Sequence, residues 1–180
     1  FDPVRRAGFN LDVKHHAGMT TCQSNVRHLE FGIDNGRLDT EWRDAGRPGA
    51  SLMIAAMCVH EGRLYVGTFE TGVDESGRLY RYEADGEWTD LGSPDGSNCL
   101  YSLAVHDGRL FASTLRYRAE GSLLPKSENQ TPGGGVYRLE EDGQWTFCGN
   151  PGETDGLGCL TVFRGELLVS ITYGMGVYRY

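Results

Sequence analysis

Three stretches decide how this chain folds: MCVHEGRLYVGT (57–68), LAVHDGRLFAST (103–114) and LTVFRGELLVSI (160–171). They align without gaps. Each holds two short apolar runs hinged at a dipeptide ending in Gly: Glu61-Gly62, Asp107-Gly108 and Arg164-Gly165. A two-residue hairpin turn that matches the twist of its strands needs positive φ, which Gly adopts without steric cost. The flanks are rich in Val, Leu, Tyr and Phe, residues that fit a pleated surface. Each stretch therefore predicts a pair of antiparallel strands. Their alternation is imperfect, as expected of strands buried on both faces.

The same frame extends in both directions. Upstream, W-x3-G-x-P recurs as Trp42-Gly46-Pro48, Trp88-Gly92-Pro94 and Trp145-Gly149-Pro151, each at one fixed distance from its hairpin. Downstream, GRLYRYEADGEW (77–88) and GGVYRLEEDGQW (134–145) read as a third strand, a turn at Asp85-Gly86 or Asp142-Gly143, and a short fourth strand opened by the Trp. The tail GVYRY (176–180) repeats the first half of that pattern. One unit is thus a four-stranded antiparallel meander. A sheet that is apolar on both faces cannot stand alone, and stacking such sheets radially gives a β-propeller. In that arrangement the Trp wedges between blades. The Gly and Pro after it turn the chain toward the next inner strand.

The chain has 180 residues, enough for one domain (1–180) with a sizeable core, and its 26 Gly against 6 Pro suit many tight turns. The fold class expected is all-β, a propeller of four-stranded antiparallel blades with about four blades in this chain. The repeats fall near 9–45, 50–91, 98–148 and 157–180. Val4–Gly8 (VRRAG) mimics the outer strand with Val in place of Trp. Pairing of Val4–Gly8 with Gly176–Tyr180 would close a four-bladed ring. Otherwise a second copy of the chain or further sequence completes a larger one, because unpaired strand edges invite association.

The blade pattern resembles the kelch-type β-propeller repeat, as in kelch proteins and galactose-oxidase-like propellers, over roughly residues 26–180. It departs from that repeat after the second strand, where the kelch Gly-Gly pair is missing. Val66-Gly67-Thr68, Ala112-Ser113-Thr114 and Val169-Ser170-Ile171 stand there instead. The resemblance implies a propeller and no particular chemistry, since propellers host binding modules, lectins and enzymes alike.

Composition narrows the function classes. A formal charge of −8, from 17 basic and 25 acidic side chains, argues against nucleic acid as the main partner. The longest strongly apolar run, LMIAAMCV (52–59), is too short to span a membrane, so no membrane partner is expected. Localisation stays open. Cys22, Cys58, Cys99, Cys148 and Cys159 include no C-x2-C pair and read as small buried hydrophobes, with room for one disulfide. No metal or cofactor motif is present: HExxH, G-x-S-x-G and a P-loop are all absent from the sequence.

Function is expected where the repeats diverge. The blade-joining loops (46–51, 92–98, 149–156) and the loops between strands two and three (70–76, 116–134) share one face and vary, whereas the opposite face carries only short turns. Loops displayed on a rigid scaffold are the usual seat of binding. The candidate ligand-binding residues are Arg47, Asp95, Asn98, Arg116, Tyr117, Arg118, Glu153 and Asp155. Arg116, Tyr117, Arg118 and Lys126 form a basic-aromatic cluster in the longest loop, suited to an acidic or sugar ligand. The functional expectation is a non-enzymatic binding or scaffold propeller that recognises a protein or carbohydrate. The alternative is a carbohydrate-active hydrolase or lyase with paired carboxylates at the channel mouth. His60 and His106 share a repeat position and read as structural. Arg81, Arg138 and Arg179 also recur, and are expected to pair with acids or carbonyls of neighbouring blades.

Overall fold

A computed structural model describes residues 33–34, 37–38 and 43–180. The first expected repeat, 9–45, lies largely outside these residues, and the closing segment Val4–Gly8 lies wholly outside them. What is described of that region is a small antiparallel ladder, β1 (Ile33–Asp34) with β2 (Arg37–Leu38).

The hairpins form as the Gly dipeptides dictate. β3 (Met53–His60) pairs with β4 (Arg63–Phe69), β7 (Cys99–His106) with β8 (Arg109–Leu115), and β11 (Leu157–Phe163) with β12 (Glu166–Ile171). Both turn residues take positive φ in each: 50° and 71° at Glu61-Gly62, 48° and 71° at Asp107-Gly108, 52° and 80° at Arg164-Gly165. Third and fourth strands follow. β5 (Leu79–Tyr82) and β6 (Trp88–Asp90) complete blade A, and β9 (Val136–Leu139) and β10 (Trp145–Gly149) complete blade B. Blade C has β13 (Val177–Arg179) as its third strand. The fold is all-β and antiparallel, built of β-propeller blades.

Every inner strand carries a register shift at the same repeat position, between Ile54 and Ala56, Leu100 and Ser102, and Leu157 and Leu160. An extra residue there bends the strand and increases its twist. Blades are also stitched at one place. Where the second strand ends, its backbone meets the start of the next inner strand: the Glu70 N–H donates to the Asn98 carbonyl (2.9 Å), and the Arg116 N–H to the Asp155 carbonyl (2.9 Å).

The core lies between blades. Ala56, Cys58, Tyr65 and Leu79 of blade A meet Leu100, Leu103, Leu110 and Ala112 of blade B, with Trp145 packed against them. Ala104, Phe111 and Val136 of blade B meet Leu157, Leu160, Leu167 and Val169 of blade C. The two joints handle polarity differently. At the first, Gly67 sits so close to the Leu100 carbonyl that any Cβ would collide with it. At the second, two buried serines cross the joint. Ser113 Oγ donates to the Gly158 carbonyl (2.8 Å), and Ser102 Oγ accepts from the Leu160 N–H (2.9 Å). Buried hydroxyls satisfied in this way cost little.

The wedge role of the Trp holds at Trp145. Trp145 fills the joint between blades A and B. Trp88 stacks near Tyr82 (5.0 Å between rings), and its Nε1–H donates to the Ala45 carbonyl (3.1 Å). Two expectations need correction. The recurring arginines pair within their own blade: Arg81 with Glu83 (2.7 Å), Arg138 with Glu140 (2.7 Å) and Arg179 with Glu166 (3.0 Å). For Arg81 and Arg138, residues two apart share a face and the partner two positions on is nearest; Arg179 reaches Glu166 on the paired strand β12. The cysteines are not all buried: Cys58 and Cys99 are, Cys58 within a disulfide of the kind the sequence left room for, but Cys159 is exposed.

Candidate functional site

The long loop 116–134 does not wave in solvent. Asn129 anchors it: its buried side-chain amide donates to the Glu75 carbonyl (2.6 Å) and the Gly96 carbonyl (2.8 Å). The Glu128 N–H donates to the Thr71 carbonyl (2.7 Å), and Leu124 packs against the cluster of Phe69, Cys99 and Leu115. These contacts bring both loop sets together on one face. They also occupy the Asn129-Gln130-Thr131 triplet, whose asparagine amide faces inward.

Folded down, the loop encloses a cleft of about 320 Å³ lined by Arg116, Tyr117, Arg118, Lys126, Gln130 and, at its floor, Asn98. Glu120 is the one carboxylate among the described lining residues. Asp155 lies behind the two arginines and binds both, with Arg116 at 2.6 Å and Arg118 at 2.9 Å. Burial pushes the Asp155 carboxyl up, but the hydrogen bond from Arg118 and the charges of Arg116 and Arg118 outweigh it and hold the group below its ordinary value. One carboxylate thus serves two guanidiniums, and a net positive charge is left in the cleft. The Arg116 Nε is buried without a hydrogen-bond partner. Arg118 stacks over the Tyr173 ring (4.6 Å), and its backbone N–H donates to the Tyr173 hydroxyl (3.0 Å).

The remaining candidate residues have other neighbours. Asn98 brackets the Tyr117 backbone, its amide donating to the carbonyl (3.0 Å) and its oxygen accepting from the N–H (2.7 Å). Tyr117 itself stands edge-on to Phe69 (5.0 Å). Asp95 accepts from the Ser97 N–H (2.9 Å), the Ser97 hydroxyl (2.7 Å) and the Thr114 hydroxyl (2.5 Å), which spends its lone pairs on loop geometry. Its charge, added to burial, pushes Tyr137 up to about 12. Arg47 donates to the Ala50 carbonyl (2.6 Å) and the Ser51 carbonyl (2.8 Å), closing its own linker. Glu153 sits at positive φ (48°) in an exposed turn beside Asp155 and Tyr173. The structure therefore unites Arg116, Tyr117, Arg118, Asn98 and Asp155, and leaves Arg47 and Asp95 to the scaffold of their loops.

Sequence reasoning missed Tyr173, Asn129 and Glu70. A signal existed for two of them. Glu70, Arg116 and Tyr173 occupy one repeat position, at the same distance from their respective Trp, with three different chemistries. Glu70 is buried. Desolvation raises its carboxyl above the ordinary value, the Thr68 hydroxyl opposes that rise, and Glu75 adds to it.

The fold and this site define a class: β-propeller blades that carry a basic cleft on their loop face. No known protein family and no curated protein matches the chain. Among solved structures, the chain is similar to an X-ray structure provisionally described as a gluconolactonase, at 26% identity and a TM-score of 0.48. The match covers 69% of this chain and 43% of that one, so this chain spans less than half of that protein's length.

Proposed function

We propose that the chain is part of a non-enzymatic binding propeller whose loop-face cleft takes an acidic carbohydrate. One observation carries this reading. Arg116, Arg118 and Lys126 line a single cleft beside one carboxylate, in a chain whose formal charge is −8. Guanidinium and ammonium groups bind carboxylates through charge-assisted hydrogen bonds, and the cleft's three cations face one lining carboxylate. Ser127 and Gln130 on the rim supply the neutral donors and acceptors that sugar hydroxyls require. The kelch-like pattern accounts for the blades and adds nothing about the ligand.

The hydrolase or lyase alternative needs two carboxylates, or a carboxylate and a histidine, converging on one point. In the cleft Glu120 stands alone among the described lining residues, and Asp155 is held by two arginines. His60 and His106 lie on the opposite face beside their turns, in matching ring contacts with Tyr65 (6.1 Å) and Phe111 (5.9 Å). Binding without catalysis is therefore the better-supported reading.

Titration of isotope-labelled protein with a uronic-acid trisaccharide, followed by amide shifts, tests it. Saturable shifts at residues 116–130, absent with a neutral trisaccharide, are expected. Equal responses to both sugars, or to neither, would refute it.

A further inference from the structure

Asn98 and Asp155 stand at one repeat position, each ten residues after its Trp. Their backbones act alike, each accepting the stitch from the preceding blade. The Asn98 carbonyl accepts from the Glu70 N–H, and the Asp155 carbonyl from the Arg116 N–H (2.9 Å in both). Their side chains act differently. Asn98 folds onto its own blade and brackets the Tyr117 backbone, which a neutral amide with both donor and acceptor can do. Asp155 instead crosses the joint to blade B. Its Oδ2 meets the guanidiniums of Arg116 (2.6 Å) and Arg118 (2.9 Å), and Arg118 also reaches Oδ1 (3.2 Å).

That departure from the repeat sets the charge of the loop-face cleft. Arg116, Arg118 and Lys126 line it with Glu120, and Asp155 behind the arginines adds a second carboxylate. Three cations against two carboxylates leave one positive charge. An amide at 155, as at 98, would leave two. The attraction of an anion to a fixed charge grows in proportion to the anion's own charge, whereas the cost of taking it out of water grows as the square. The second negative charge of a dianion therefore adds more to the cost of entry than one leftover cation offsets. It is also repelled by the Asp155 carboxylate.

We infer, resting on the acidic-carbohydrate reading of the same cleft, that Asp155 determines its specificity. Asp155 tunes the cleft to a sugar unit bearing a single negative charge, a uronate, and against a dianionic unit, a sugar phosphate. It acts through the two guanidiniums it holds, by fixing where they stand and by neutralising one of them. Selectivity of this kind combines an attractive group with a repulsive one, the arginines for the wanted ligand and the carboxylate against the unwanted one. No histidine is among the described residues that line the cleft, so the ligand's own titration can be read near neutral pH.

Calorimetry with two trisaccharides that differ only in the terminal unit tests this, one ending in a uronic acid and the other in the 6-phosphate of the same sugar. A phosphate monoester loses its second proton near pH 6, so one ligand is a monoanion at about pH 5 and a dianion at about pH 8. The parent should bind the uronate at least about tenfold more tightly than the phosphate at the higher pH. The gap should close at the lower one. Asp155→Asn should bind both within about threefold at the higher pH, with an unchanged circular dichroism spectrum, and Asp155→Glu, which keeps the charge, should retain the preference. If Asp155→Asn does not fold, the pH series on the parent and the Asp155→Glu protein decides. Equal affinities in the parent at the higher pH, a gap that persists at the lower pH, or a gap that survives in Asp155→Asn would each overturn the inference and leave uronate binding standing. Binding of neither sugar would overturn the inference together with the acidic-carbohydrate reading.

Discussion

The two faces of these blades carry clefts of opposite character. The turn-face cleft is the larger, about 510 Å³, and is lined by Arg63, Arg81 and Arg109 together with Glu61, Asp107, Glu140 and Glu141. The loop-face cleft is smaller, about 320 Å³, and sets Arg116, Arg118 and Lys126 against Glu120. On the turn face two of the three cations are already paired, Arg81 with Glu83 and Arg109 with Glu140 (2.9 Å), and the four carboxylates outnumber the cations. On the loop face two guanidiniums share Asp155, and one Nε has no acceptor. The proposed site therefore rests on charge left over after internal pairing and not on size, because unmatched cations in a partly enclosed cleft are stabilised by an anionic ligand.

The two faces also differ in how far their residues repeat along the sequence. Turn-face residues repeat because the hairpin geometry dictates them. Loop-face residues can diverge because the stitches there run through backbone groups, as from Glu70 to Asn98 and from Arg116 to Asp155, which do not depend on residue type.

The largest effect should come from the scaffold that both faces share. Leu103, fully buried between blades A and B, truncated to Ala should cost about 3 kcal/mol in urea unfolding. If the loop-face cleft is an independent site, its ligand affinity should be unchanged in the folded variant. A smaller loss is expected on the turn face alone. His106→Ala removes a side-chain hydrogen bond to the Gly165 carbonyl (2.9 Å) that crosses from blade B to blade C. About 1 kcal/mol, or roughly 2–4 °C in Tm, should follow, with no effect on the ligand.

The subtlest test separates two loop-face carboxylates by pH. Asp155 is held below its ordinary value, so its contribution to stability is complete above that value and is lost as pH falls through the depressed folded value. Asp155→Asn should therefore flatten the decline in stability below about pH 4. Glu70 is raised, so the reverse holds. Its contribution is complete below the ordinary value and is lost as pH rises through the raised folded one. Glu70→Gln should gain on the parent between about pH 4 and 7. Thermal melts across that range check both, and parallel curves for the two variants would contradict the assignment of opposite environments.

Much of the fold was legible in the sequence, because each hairpin is encoded locally. Glu61-Gly62, Asp107-Gly108 and Arg164-Gly165 take the positive φ values that a two-residue hairpin demands, with Gly supplying the second at no steric cost. The arginine pairings were misread for want of one local rule: Arg138 reaches Glu140 two residues on before it reaches another blade. The site was half legible. Divergence from the repeat singled out Arg116, Tyr117, Arg118 and Asp155, and it is the structure that brings Asp155 against the two arginines. Divergence could not show that Asp95 would be consumed by Ser97 and Thr114, or that Asn129 would fold the long loop down, since both depend on contacts between distant segments.

The central claim is that unmatched charge on the loop face, and not cleft size, defines the binding site. Calorimetric titration of a uronic-acid trisaccharide into the parent, Arg116→Ala and Arg63→Ala proteins measures it directly. A charge-assisted hydrogen bond contributes about 1.5–3 kcal/mol, so Arg116→Ala should weaken binding about ten- to hundredfold, while Arg63→Ala on the turn face leaves it unchanged. Loss of affinity in Arg63→Ala with Arg116→Ala unaffected would contradict the account.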